Sequence, residues 1–141
     1  QKENLNVHIN EISLKNYLNE NKGCFNYNEK FCIEINMDIE SKNNIGMVLQ
    51  FKDSGDNFLF ISSTSIEKSK FSFSKYTCEL PDFYFNEGLF HVNMLLTESN
   101  RIFFSKENII SFEIQMTFEE NETWFGKTKG SLKPKLKWII S

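Results

Sequence analysis

The stretch Asn121-Glu-Thr-Trp-Phe-Gly-Lys-Thr128 ends like a phosphate-binding loop. A phosphate cradle also needs glycine at its first position, so that backbone amides converge on the phosphates; here Asn121 stands there, followed by the bulky Trp124 and Phe125. Nucleotide binding is not expected. Asn121-Glu-Thr123 also spells a glycosylation sequon, a triplet that arises by chance and has no sign of secretion beside it. Cys24, Cys32 and Cys78 form an odd set without a C-x-x-C pair, and this reads as three free thiols in a reducing compartment. Both tryptophans, Trp124 and Trp138, follow the cysteines, so the Cys…Trp…Cys order of immunoglobulin domains is absent. His8 and His91 lie far apart and next to no cysteine. No metal or cofactor is expected on this pattern. A hydrolase would need paired carboxylates in an apolar setting, or a Ser or Cys nucleophile beside a histidine; the acidic residues instead fall on turns and outward strand positions, and His91 has no partner visible in the sequence. The chain therefore reads as non-catalytic.

Composition narrows the class further. The 141 residues are 40% hydrophobic and 25% charged, and include fifteen Phe, a side chain without a polar handle that belongs mostly inside. A net charge of -3 with interspersed signs leaves no basic stripe to neutralise phosphates, so nucleic acid is not an expected partner. The apolar runs are far shorter than the ~20 residues a membrane helix needs. Gln1-Lys-Glu-Asn4 does not resemble a signal peptide, and the start looks cut from a longer protein.

The elements that must position any site are strands. In residues 31–39 the odd positions (Phe31, Ile33, Ile35, Met37, Ile39) are apolar and the even ones mostly polar, as a half-buried strand requires. The same alternation places Met47, Leu49 and Phe51, then Phe90, Val92 and Met94, then Phe112 and Ile114, toward a common core. Residues 5–14, 58–62, 71–73 with 76–80, and 132–140 read as further strands. In the first of these the apolar parity switches between Ile9 and Ile12, as at a bulge. Asp53-Ser-Gly-Asp-Asn57 and Asn86-Glu-Gly88 supply turns. One short helix is conceivable around residues 12–20. The expectation is a single all-β domain over residues 1–141, an immunoglobulin-like antiparallel β-sandwich of seven to eight strands. Its last strand, with Lys133, Lys135 and Lys137 on one face and Pro134 lacking an amide, reads as an edge strand.

A set of segments in fixed order resembles the Wzt C-terminal domain family, which follows the ATPase domain in ABC exporters of O-antigen and related polysaccharides. The set comprises Phe25 with Asn28-Glu29, Ile45-Gly46-Met47 running to Phe51-Lys-Asp53 and Gly55, Phe58-Leu-Phe-Ile61, and Cys78-Glu-Leu-Pro81. It continues with Phe85-Asn-Glu-Gly-Leu-Phe90, Ile110-Ser-Phe-Glu-Ile114, and Gly130-Ser-Leu-Lys-Pro134 with Trp138. Two positions depart from the family's habit: Asn28 stands where Gly is frequent, and Phe90 near an expected Tyr. The resemblance implies recognition of an exported glycan, often through a modification at its non-reducing end, on the cytoplasmic side of the inner membrane. It also implies paired ATP-binding subunits, hence a homodimer, and contact with membrane-embedded transporter subunits through the full-length protein. The C-terminal strand is expected to take part in the dimer, with residues 119–130 as a hinge.

If the strands near residues 45–52, 89–97 and 109–117 are neighbours, then Gln50, His91, Asn93, Glu113 and Gln115 project from one face. That patch of donors and acceptors without a dominant charge suits sugar hydroxyls, and Trp124 beyond it could add an apolar ring face. Two other classes fit the same residues: a structural or protein-docking sandwich, and a carbohydrate-binding module of a secreted glycoside-degrading enzyme.

Overall fold

The computed structural model describes residues 5–72, 74–116 and 129–141. Eight strands run in chain order as β1 (Leu5–Asn16), β2 (Cys24–Asn26), β3 (Phe31–Ser41), β4 (Ile45–Asp53), β5 (Phe58–Ile66), β6 (Lys75–Leu80), β7 (Gly88–Glu98) and β8 (Arg101–Gln115). They form a three-stranded sheet, β1-β3-β6, and a five-stranded sheet, β2-β8-β7-β4-β5. The result is the immunoglobulin-like β-sandwich anticipated from the alternation. Every pairing is antiparallel except β2 with β8, which is parallel.

The parity argument decides the core. Phe31, Ile33, Ile35, Met47, Leu49, Phe51, Phe90, Val92, Met94, Phe112 and Ile114 are all buried between the sheets. At one end Phe31, Phe51, Phe85, Phe90 and Phe112 pack ring against ring, Phe90 stacking on Phe112 at 5.3 Å between centroids. Fully burying each such side chain is worth about 1.5–3 kcal/mol, which is why phenylalanine is so frequent here. The parity switch in β1 is a register shift between Ile9 and Glu11, so one strand turns two different sides toward the sheet opposite. Gly88 opens β7 at φ +152°, a backbone angle that L side chains rarely adopt.

Three expectations are corrected. Residues 12–20 hold no helix: β1 continues to Asn16, and the chain then turns. Residues 132–140 are not a strand. Leu132 bridges Phe85, and Lys133 and Lys135 donate backbone N–H groups to the carbonyls of Tyr84 (2.6 Å) and Phe83 (2.9 Å), after which Leu136, Trp138, Ile139 and Ile140 stand exposed. Pro134 cannot donate, and among the described residues no second strand lies alongside, so the alternating pattern is satisfied by docking on a loop. The strand near residues 109–117 begins earlier, at Arg101, after a tight turn at Ser99 and Asn100, both at positive φ (50° and 63°), as a two-residue hairpin turn requires. Of the hinge expected over residues 119–130, residues 119–128 lie outside the described residues.

Candidate functional site

The strands expected to be neighbours are neighbours: β4 pairs with β7, and β7 with β8. Because paired residues share a face, the register builds the outer side of the five-stranded sheet in rows. Gln50 lies opposite Asn93, Lys52 opposite His91, His91 opposite Ser111, and Leu89 opposite Glu113. Gln115 follows Glu113 on the same parity. All five residues named from the sequence on these strands thus lie on one face, while Trp124 falls outside the described residues.

They do not share one environment. Glu113 and Gln115 are exposed, and Gln50 and His91 half-buried. His91 Nδ1 sits 2.6 Å from Ser111 Oγ, which fixes the ring across the β7–β8 ladder. Asn93 is buried, at 4% exposure, and its side chain is occupied. Between Val92 and Met94 the register of β7 against β8 shifts, since Val92 pairs with Ile110 but Met94 with Lys106. Asn93 Oδ1 accepts the backbone N–H of Asn108 (2.9 Å), a residue of this bulge at φ 51°, and Asn93 Nδ2 donates to Gln50 Oε1 at 3.4 Å. Here Asn93 supplies the hydrogen bond that the ladder lost.

The face also holds groups that the sequence reading passed over. Phe58 pairs with Lys52 across a second register shift, so its ring, 67% exposed, flanks the row Lys52–His91–Ser111. Lys52 is buried, and its ammonium meets Asp56 Oδ1 at 2.7 Å, which leaves the patch without a dominant cation. The missed signal in Phe58-Leu-Phe60 was a bulge, which puts Phe58 on the face opposite to Phe60. Elsewhere a cleft of about 460 Å³ opens between the sheet edges β5 and β6, floored by Ile35, Met47 and Leu49. Ser62 and Thr64 point inward there because they pair with Leu49 and Met47, yet they are exposed, since no strand among the described residues lies over them. The polar run 62–65 was the sequence signal of that opening.

Burial pushes the thiol of Cys78 up, as it does Cys32, where Glu34 adds to the effect, and Cys24, where Glu113 does; all three are held in the protonated, poorly nucleophilic form. Asp53 is lowered, chiefly by the hydroxyl of Ser131 (2.7 Å) and then by Asn57, because these donors stabilise its charged form. Among the described residues no group of three or more His, Cys, Asp or Glu side chains is arranged to hold a metal ion. No helix among them is long and apolar enough to cross a membrane.

No known family model matches the chain, and no curated protein matches it. Among solved structures, the chain is similar to the crystal structure of the C-terminal domain of Wzt, with a TM-score of 0.64 and 10% sequence identity over 96% of this chain and 83% of that one. The described strands therefore adopt the fold of the Wzt C-terminal domain.

Proposed function

We propose that this domain recognises a bacterial polysaccharide without chemically altering it, as the glycan-specificity domain of an ABC exporter's ATP-binding protein at the cytoplasmic face of the inner membrane. The observation that carries this reading is the likeness to the Wzt C-terminal domain across nearly the whole chain, in a fold whose outer sheet face sets polar side chains beside the exposed Phe58, Ile61 and Leu89. On that face Gln50, His91, Glu113 and Gln115 offer donors and acceptors to hydroxyls, and Phe58 offers a ring to the apolar side of a sugar. ATP hydrolysis would belong to a separate domain. Calorimetric titration with the source organism's own exported glycan tests the reading. Gln115→Ala should weaken binding at unchanged melting temperature, because Gln115 is exposed. A parent domain with no affinity for that glycan would sink it.

The apolar tail favours a second, compatible role in assembly. Leu136, Trp138, Ile139 and Ile140 are 70–95% exposed in sequence, a pattern that suits contact with another chain. We propose a homodimer in which this tail takes part. Light scattering should give twice the chain mass, and deletion after Lys135 should return the monomer; a monomer at every concentration would refute it.

A further inference from the structure

The outer sheet face continues onto β2, at the edge of the five-stranded sheet. In the parallel pair Cys24 lies beside Glu113 and Asn26 beside Gln115. Phe25 between them is buried in the core, so Cys24 and Asn26 point to the outer side with Glu113 and Gln115. Asn26 is also one wall of an open groove of about 570 Å³, whose other lining residues are Tyr17, Asn28, Glu29, Lys30 and Asp82. From Gln50 on β4 to Asn26 on β2 the face crosses three strand spacings, about 14 Å, before the groove begins.

Both walls of the groove are held in place. Asn16, buried at the end of β1, accepts the N–H groups of Leu18 (3.0 Å) and Glu20 (2.9 Å) through Oδ1 and donates to Glu20 Oε1 at 2.8 Å. This loop presents the Tyr17 ring at 77% exposure. On the other side Glu29 accepts the N–H of Asn26 (3.0 Å) and meets Lys22 at 3.6 Å. A second groove, of about 420 Å³, shares Tyr17 and Lys30, so the ring stands between two depressions. A pyranose has an apolar C–H side and a rim of hydroxyls. An exposed aromatic ring on a loop held by Asn16, among amides, carboxylates and an ammonium, matches both.

We infer that the groove beside Tyr17 is a second sugar subsite, continuous with the outer sheet face through Gln115 and Asn26, and that the domain therefore holds an extended stretch of glycan chain instead of one terminal residue. This rests on the glycan reading above. The isotope-labelled chain, titrated with methyl glycosides of mannose, galactose, glucose and rhamnose and with the corresponding oligosaccharides, is followed by amide chemical shifts. Affinity should rise with oligosaccharide length, and the longer probes should add shifts at Tyr17, Asn28 and Lys30 to those at Gln115. Tyr17→Ala should lower oligosaccharide affinity about 2- to 12-fold, the range for an aromatic contact, while Tyr17→Phe keeps most of it. Leu18→Ala, exposed on the same loop but outside the groove lining, should bind like the parent. Shifts confined to the sheet face, or a Tyr17→Ala chain that gains affinity with length as the parent does, overturn the groove and leave the glycan reading standing. No shift with any of these probes or with the source organism's exported glycan overturns both.

Discussion

Replacing Asn93 with alanine removes the acceptor that Asn108 N–H uses at 2.9 Å and the donor that reaches Gln50 at 3.4 Å. The site is 4% exposed, so water has little room to replace the lost group. A buried donor left without a partner costs about 1–3 kcal/mol. For a chain of 141 residues, that corresponds to a fall in melting temperature of about 3–10 °C. Asn93→Asp retains the acceptor, and the Gln50 amide can turn its N–H₂ toward the new oxygen; it should lose less than the alanine variant at neutral pH. Circular dichroism melts and urea titrations of both variants against the parent supply the comparison. If Asn93→Ala melts within about 1 °C of the parent, the side chain does not hold the bulge. The same reasoning makes Asn93 a poor probe of ligand binding, because any loss of affinity would mix contact with distortion of the β7–β8 ladder.

Phe112→Ala should cost about 3–5 kcal/mol in urea unfolding, since the ring is 1% exposed and packs against four others; a cost below about 1 kcal/mol would contradict that packing. Asp53 has a folded pKa below its unfolded value, so its contribution is complete above about pH 4 and is lost as pH falls through the lower folded value. Carboxyl-carbon NMR should find Asp53 titrating below the ordinary aspartate range, with Ser131→Ala moving it upward; an unmoved value would place the cause elsewhere.

Most of the sandwich was legible because one physical rule governs it. Wherever a sheet has one dry face, Phe31 through Ile39, Met47 through Phe51 and Phe90 through Met94 must alternate, and the sequence cannot hide that. The rule fails where burial is not periodic. Cys24–Asn26 has three residues, too few for a period, and its partner lies some ninety positions away at Glu113–Gln115. Residues 132–140 alternate but have no sheet to join; alternation records which way side chains point, and says nothing of whether anything lies opposite. The site was legible to the same extent. Parity put Gln50, His91, Asn93, Glu113 and Gln115 on one face, but the role of Asn93 depends on a bulge formed by Asn108, and the place of Phe58 on another. Neither register shift leaves a mark in composition.

The hydrogen bonds that fasten residues 130–135 join parts of the chain made at very different times. Asn86 Nδ2 donates to the carbonyl of Gly130 at 2.7 Å, and the Tyr27 hydroxyl to that of Lys133 at 2.5 Å, across 44 and 106 positions. The cations of Lys133 and Lys135 then cover the rings of Tyr27 and Phe83 at 5.4 and 4.5 Å. At about 5–20 residues per second, a ribosome needs roughly 2–9 s to go from Asn86 to Gly130. During that interval β1 to β6 are already made and β7 and β8 follow, yet the loop around Phe83–Phe85 has no covering strap. A nascent chain stalled before residue 130 would thus display an aromatic end that the finished protein conceals, an opening for chaperones and for aggregation alike.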